Sequence, residues 1–393
     1  MRFKHVLFVS VLLMITAANL AAQNISFKAG ALKLLYDQRY YHQIFGEGVA
    51  PVIPSVGVNI GWRDYSDSPY AFICNYPEYG IALQIDGVAD AVAIDGPGLG
   101  NLYCLYGYFD RAFIQTDRFR FGYFAGLGFA NCFSKRYEPA VNPKNLLIST
   151  AINSRIKFGI QTQYQFTRRY YAGIGFYFNH SSNGSVNYPN RGYNAYELTL
   201  SLGMRDKADL ARTVPVMKDD GFKPGFQFDV QVSAGVVSNE DYFDYREKSG
   251  LGGDNMHFPK YSFDADVLYK YSRIHATGIG LDLFVTPFCD EISKYLYRYH
   301  LIDNPAATED EFEPVAVGIS IVHEISYREL SITAGLGRYL YDNDGLGRNQ
   351  KFYQMVNVRY HFPCLADTYA GIVLKAHKFM TAESIQLCIG KRF

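Results

Sequence analysis

The stretch YYAGIGFYFNHSSNGSVNYPNRGYNAYELTLSLG, residues 170–203, contains two runs of alternating polar and apolar residues. Successive side chains of a β-strand point to opposite faces of the sheet, so each run predicts a strand with one apolar face. Residues 181–192 between the runs are rich in Ser, Asn and Gly, which favour turns. The stretch therefore predicts a β-hairpin with one apolar face.

Similar segments of about ten residues recur along the chain, separated by turn residues. We predict strands near residues 24–36, 53–62, 78–88, 98–109, 117–131, 152–167, 170–182, 193–204, 225–238, 260–271, 275–286, 313–325, 328–341, 352–362, 367–377 and 383–393. Helical signals are weak, and no run of about 18 apolar residues follows residue 23. Aromatic residues make up 16% of the chain. This combination is typical of outer-membrane β-barrels, in which aromatic girdles mark both membrane interfaces.

The N-terminal residues 1–22 have the pattern of a secretory signal peptide. A basic start is followed by an apolar run from Val6 to Ile15, and small residues precede the expected cleavage after Ala22. The formal net charge of zero gives no reason to expect a nucleic-acid partner. We expect a mature chain that leaves the cytoplasm and is integral to the outer membrane.

Residues 206–221 are charged, contain a proline and divide the chain into two halves, 23–205 and 222–393. We interpret them as a periplasmic connection between two sets of eight strands. The sequence YAGI occurs at 171–174 and again at 369–372, which favours an internal duplication. The terminal Phe of CIGKRF looks like the C-terminal signal of outer-membrane barrels, and the first half has no such ending. We therefore prefer one antiparallel barrel of about 16 strands, with two tandem eight-stranded barrels as the alternative.

Strand parity places a His and a Ser on the lipid-facing side of residues 170–182. The apolar even positions of this strand continue into His180 and Ser182, where the apolar band ends. A Ser hydroxyl becomes a nucleophile when a nearby base takes its proton, and His180 is the candidate base for Ser182. Asn194, across the hairpin on the same face, is the candidate that orients the imidazole. Glu197 falls on the opposite, lumen-facing side.

Backbone N–H groups around Asn183 and Gly184 are candidates for an oxyanion hole, because glycine allows close approach of the backbone. The alternative interpretation of the same segment is a plain turn. Ester hydrolysis by Ser and His requires no metal, and the His residues show no metal-binding spacing. We expect no cofactor. The sequence YDNDGLG, residues 341–347, lacks the full twelve-residue calcium pattern and its final Glu, which favours a loop turn.

The segment HSSNGSVNYPNRGYN, residues 180–194, resembles the signature of the outer-membrane lipid A 3-O-deacylases, also called acyloxyacyl hydrolases. The family pattern is roughly His-x-Ser-Asn-(Ala/Gly) followed by Pro-Asn-x-Gly. The residues that match it are His180, Ser182, Asn183, Gly184, Pro189, Asn190 and Gly192. Residues 137–153 and 74–83 also resemble family segments. The resemblance covers about residues 50–205.

The resemblance implies that His180 is the catalytic base and Ser182 the nucleophile, both facing the membrane. The partner implied is lipid A, from which the family hydrolyses an ester-linked acyl chain. Better-known members carry a Glu where this chain has Asn194, and an amide cannot stabilise an imidazolium as a carboxylate does. In the YAGI register, His180 and Ser182 correspond to Lys378 and Met380, so we expect no site in the second half.

Two other functions stay open at this stage. A porin-like channel is one, since a 16-stranded barrel can enclose an aqueous lumen. It would use inward-facing charges such as Lys157 and Glu197, which are few. A structural barrel with a degenerate site is the other.

Overall fold

The computed structural model describes residues 23–35, 52–87, 100–131, 136–206, 221–346, 350–378 and 381–393. Within these residues, sixteen antiparallel strands form two closed barrels of eight strands each. The first barrel consists of β1 (Asn24–Leu34), β2 (Val52–Arg63), β3 (Glu78–Asp86), β4 (Leu102–Gln115), β5 (Phe119–Asn131), β6 (Ile152–Gln165), β7 (Tyr170–Ser182) and β8 (Tyr193–Arg205). The signal-peptide prediction and most of the 206–221 connection fall outside the described residues.

The second barrel has the same number of strands. It consists of β9 (Gly225–Ser238), β10 (His257–Lys270), β11 (His275–Val285), β12 (Val315–Tyr327), β13 (Leu330–Asp342), β14 (Phe352–Phe362), β15 (Thr368–His377) and β16 (Thr381–Arg392). Every predicted strand has its counterpart, most of them within three residues at either end. The prediction of an all-β, antiparallel, sixteen-stranded barrel protein is confirmed.

The way in which the strands close into barrels differs from the single barrel that the sequence analysis preferred. β8 pairs with β1, from Arg205 opposite Asn24 to Ala195 opposite Leu34. β16 likewise pairs back to β9. The single barrel of about 16 strands is therefore wrong, and the alternative of two eight-stranded barrels is right. Closure depends on a long-range pairing of edge strands that no local pattern in the sequence reveals.

The alternation of the strands separates an apolar exterior from a polar interior. On β8, Leu198, Leu200 and Leu202 are 56%, 63% and 64% exposed, while Glu197 and Thr199 between them are buried. β7 alternates in the same way, with its even positions outward. The parity predicted for both strands is thus confirmed, and an apolar exterior is what a barrel presents to lipid.

Paired charges fill the interior of the first barrel. The Lys157 ammonium lies 2.7 Å from a Glu197 carboxylate oxygen, and the Ser55 hydroxyl donates to the same carboxylate at 2.6 Å. Arg155 lies 3.1 Å from Asp86. An eight-stranded barrel leaves an interior just wide enough for side chains, so charges placed there are stable only when they are paired.

The interior of the second barrel is also filled by ion pairs. The Asp229 carboxylate lies 3.0 Å from Arg359 and 2.7 Å from Arg392.

The described helices lie in the connections between strands. They are the short helix α1 (Pro69–Ile73) in the first barrel, and α2 (Glu240–Lys248) and α3 (Cys289–Leu301) in the second. A 3-10 turn spans Pro363–Leu365. α2 and α3 pack together through the Tyr242 and Tyr295 rings, whose centroids are 4.8 Å apart. The sequence analysis missed these helices.

The chain divides into two compact units that do not follow the chain order strictly. The first unit contains the first barrel, and the second contains the second barrel together with residues Asn183–Arg191 of the β7–β8 connection. No helix in the described part of the chain is long and apolar enough to span a membrane.

We predict that Glu197→Gln destabilises the first barrel, because it leaves the Lys157 ammonium buried without its carboxylate. Breaking a buried pair in this way costs about 3 kcal/mol in free energy of unfolding. The chain has one tryptophan, Trp62 on β2, so its fluorescence during urea unfolding reports on this barrel. Leu198→Ile on the lipid-facing side of the same strand is the control. An unchanged unfolding midpoint for Glu197→Gln would contradict the pairing.

Candidate active site

Three side chains form one hydrogen-bonded chain at the end of the β7–β8 hairpin. The His180 Nε2 atom lies 2.8 Å from the Ser182 hydroxyl oxygen. On the other side of the ring, His180 Nδ1 lies 2.7 Å from the side-chain oxygen of Asn194. The structure thus brings together the three residues that the sequence analysis selected as candidates.

The register of the two strands produces this contact. His180 pairs directly with Asn194 across β7 and β8. Residues directly opposite each other on one face of an antiparallel pair have Cβ atoms about 5 Å apart, within reach of an imidazole and an amide. Ser182 lies two residues beyond His180 on the same side of β7, so the imidazole lies between the hydroxyl and the amide.

The Asn194 contact selects the tautomer of the imidazole. With the amide oxygen as acceptor, Nδ1 carries the ring proton and donates it to Asn194. The other nitrogen, Nε2, then presents its lone pair to the Ser182 hydroxyl, which donates to it. This is the arrangement that a general base next to a Ser nucleophile requires.

The site is largely covered by its own neighbours. Ser182 is 3% exposed and Asn194 8% exposed, while His180 is half-buried. Ser154, which lies opposite Ser182 on β6, donates its hydroxyl to the Ser182 carbonyl oxygen at 2.9 Å. The sequence analysis missed Ser154. Its position on the lipid-facing side of β6, which is mostly apolar, was the available signal.

Gly192 allows the chain to pass close to the imidazole. Its φ is +73°, a conformation that favours glycine. A Cβ at this position would lie 3.2 Å from His180 Cε1, so even an alanine would press against the ring. The Gly192 N–H donates to the Leu147 carbonyl oxygen at 3.0 Å. This glycine, which the sequence analysis noted only as a motif match, therefore leaves room for the imidazole.

The oxyanion-hole candidates Asn183 and Gly184 follow Ser182 directly, in the segment that groups with the second compact unit. The Asn183 N–H donates to the side-chain oxygen of Asn190 at 3.3 Å, a long bond that a negatively charged oxygen would outcompete. Gly184 has a φ of +63°. Glu197 lies elsewhere, inside the barrel with Lys157, as its parity predicted.

Comparison with known families accounts for both halves of the chain. Residues 57–203 match the family described as Lipid A 3-O-deacylase (PagL), and residues 226–393 match Acyloxyacyl hydrolase, C-terminal domain. Residues 57–203 therefore belong to the lipid A 3-O-deacylase family, and residues 226–393 form an acyloxyacyl hydrolase C-terminal domain. The resemblance found in residues 180–194 is thereby confirmed and extended to most of the sequence.

Membership of this family, together with two barrels that have apolar exteriors, makes the chain an integral outer-membrane protein. It also makes the chain a member of a family of ester hydrolases. The predicted localisation and the predicted barrel class are confirmed.

Solved structures show more distant likenesses. The outer-membrane enzyme PagL is similar over 45% of this chain and 97% of its own, with 17% identity and a TM-score of 0.30. The ferric enterobactin receptor PfeA is similar over 90% of this chain and 54% of its own, with 9% identity and a TM-score of 0.24. A mutant porin of Rh. blastica is similar over 94% and 99%, with 9% identity and a TM-score of 0.17. No curated protein matches the sequence, and the assignment rests on the family match.

Proposed function

We propose that this protein removes an ester-linked acyl chain from lipid A, with Ser182 as the nucleophile and His180 as the general base. The observation that carries the proposal is the continuous chain of hydrogen bonds from Asn194 through His180 to Ser182, on the side of the barrel wall that faces lipid. Polar side chains that face lipid cost free energy, and where they occur they usually serve a function. The family match supplies the substrate class.

The first half of the reaction forms an acyl-enzyme. The Ser182 oxygen attacks the acyl carbonyl carbon while its proton passes to His180 Nε2, and the carbonyl oxygen becomes negatively charged. Backbone N–H groups after Ser182, at Asn183 and Gly184, are the candidates that stabilise this charge. His180 then returns the proton to the departing sugar oxygen as the carbon–oxygen bond of the ester breaks.

The second half releases the fatty acid. A water molecule gives a proton to His180 Nε2 and attacks the acyl carbon on Ser182. The bond to the serine oxygen breaks, and that oxygen recovers the proton from the imidazole. Throughout both halves Asn194 holds Nδ1–H, so Nε2 stays directed at the reacting atoms. An amide supplies this orientation without the charge stabilisation of a carboxylate.

The position of the site in the barrel suits a substrate in the outer leaflet. β1 begins and β8 ends at one end of the first barrel, and Ser182 lies at the opposite end of β7. In outer-membrane barrels the end with the termini faces the periplasm, so Ser182 would lie at the outer surface. Lipid A would then reach the site sideways from the leaflet, with its ester bonds at the depth where the apolar band ends.

The channel alternative has less support. It depended on the wide lumen of a 16-stranded barrel, whereas the described strands form barrels of eight. Inward-facing charges such as Lys157 and Glu197 bind each other, at 2.7 Å, instead of lining an open passage. A structural barrel with a degenerate site would not need the tautomer of His180 to be fixed.

We predict that Ser182→Ala and His180→Ala each abolish the loss of acyl chains from lipid A while leaving the barrels folded. Removing a nucleophile or its base lowers the rate by several orders of magnitude. Mass spectrometry of lipid A from cells that express each variant measures the reaction, and heat-dependent mobility on gels measures folding. Both side chains lie on the outer side of the barrel wall, away from the ion pairs that fill the barrel interior.

Ser181→Ala is the matched control for these two variants. Ser181 adjoins Ser182 in sequence but points into the barrel, where Arg155 contacts its hydroxyl at 3.3 Å. It should therefore keep the parent's activity. Retention of more than about a tenth of the rate by Ser182→Ala or His180→Ala would show that the assigned roles are wrong.

We predict that Asn194→Ala loses much of the rate, because Nδ1 then has no acceptor to fix the tautomer. Asn194→Glu should match or exceed the parent, since a carboxylate also stabilises the imidazolium that forms during attack. Glu197→Gln, on the lumen-facing side of the same strand, should hardly change kcat in the molecules that fold. The measurement is the initial rate of fatty-acid release from purified lipopolysaccharide. A fully active Asn194→Ala with an inactive Glu197→Gln would exchange the roles of the two residues.

A further inference from the structure

The segment 183–191 begins at the peptide bond after Ser182, and it packs within the second compact unit. Its main chain is hydrogen-bonded to Ser238 at the end of β9. The Ser238 N–H donates to the Ser185 carbonyl oxygen at 2.8 Å, and the Ser238 hydroxyl donates to the Val186 carbonyl oxygen at 2.5 Å. The second unit thus holds the middle of this segment through main-chain atoms.

Two further contacts fix the segment farther along. Asn255, just before β10, forms a pair of hydrogen bonds with Tyr188. The Tyr188 N–H donates to the Asn255 side-chain oxygen at 2.7 Å, and the Asn255 amide donates to the Tyr188 carbonyl oxygen at 3.0 Å. The neighbouring Asn187 side chain lies 2.7 Å from His257 on β10. A pair of bonds of this kind mimics a strand pairing and fixes both position and direction of the main chain.

The strand β16 completes the anchor. The Ser185 hydroxyl donates to the Ala382 carbonyl oxygen at 2.6 Å. Gly184 lies so close to the Ile385 side chain that a Cβ there would overlap it. Strands β9, β10 and β16, all from the half of the chain without a candidate catalytic residue, therefore contact the nine residues that follow the nucleophile.

We propose that the second barrel is a positioning element for the reaction, which holds segment 183–191 so that the N–H groups next to Ser182 keep a fixed place. This inference rests on the proposed deacylase function and gives a role to the half of the chain in which the sequence analysis expected no site. Asn255 and Ser238 are the positioning residues, because they act on the reaction only through the main chain of the segment.

The physical reason is the sensitivity of an oxyanion hole to geometry. Its donors stabilise the transition state only when they are already placed about 3 Å from the developing charge, and loss of one donor costs about 100-fold in kcat. A nine-residue segment without its anchors samples many conformations, which lowers the fraction of time with the donors in place. Substrate binding by the lipid-facing wall is not affected in this way. The anchor should therefore act on kcat and leave KM nearly unchanged.

The test compares Asn255→Ala/Ser238→Ala with the parent in the full-length protein. We expect kcat for fatty-acid release from lipopolysaccharide to fall about 10-fold, with KM within about twofold, since partial misplacement costs less than loss of a donor. Asn343→Ala is the matched control. Its amide also donates to a main-chain oxygen of the second barrel, that of Glu311 at 3.3 Å, but it has no bond to the segment. It should keep the parent's kcat.

Ser238→Thr retains the hydroxyl donor, so it should keep most of the parent's kcat. If the volume of the side chain at position 238 mattered and not its hydroxyl, this substitution would lower kcat instead. Heat-dependent gel mobility shows whether each variant is folded. If the parent is active and the folded double variant keeps its kcat, the anchoring role is overturned while the proposed function stands. A drop in kcat of equal size in Asn343→Ala would also overturn it, because the effect would then be general destabilisation. A parent that leaves lipid A intact would overturn the proposed function itself.

Discussion

The hydrogen bond between His180 Nδ1 and Asn194 is the interaction on which the rest of the site depends. It exists because β7 and β8 pair with His180 directly opposite Asn194. A shift of one residue in that register would move one of the two side chains into the barrel. The apolar exterior on both strands prevents such a shift, since it would bury leucines and expose Glu197 to lipid. The forces that fix the barrel in the membrane therefore also fix the orientation of the imidazole.

The same alternation explains how one hairpin serves two environments. Its inner face carries charges that are satisfied by other strands, as Glu197 is by Lys157. Its outer face is apolar until the last residues of β7, where His180 and Ser182 take the place of bulky apolar side chains. Near the interface, a polar group facing lipid costs less than at the bilayer centre. An ester at that depth can meet the serine without leaving the membrane. Segment 183–191, which follows Ser182 in the sequence, is hydrogen-bonded within the second compact unit to Ser238, Asn255 and Ala382.

Much of this could be predicted from the sequence, and the failures have physical causes. The strands and the shared face of His180, Ser182 and Asn194 followed from a period of two, which is a local property. Closure into two barrels did not, because it depends on Arg205 meeting Asn24 across the whole first half of the chain. Helix α3 buries Ile292, Tyr295 and Leu296 at helical spacing, a local pattern that the sequence analysis overlooked, whereas α2 has only nine residues and depends on tertiary packing. The anchoring of segment 183–191 consists of contacts between distant segments that no spacing in the sequence shows, whereas the lipid-facing parity of Ser154 was a signal that the sequence analysis overlooked.

The central claim is that Ser182, activated by His180, is the nucleophile. A fluorophosphonate that carries an alkyl chain tests it directly, because it forms a stable bond with an activated serine in place of the acyl ester. The folded protein in lipopolysaccharide-containing membranes is treated with the reagent and digested, and the peptides are sequenced by mass spectrometry. We expect one adduct, on Ser182, which is absent in His180→Ala. An adduct on another residue, or equal labelling of Ser182 in His180→Ala, would contradict the account.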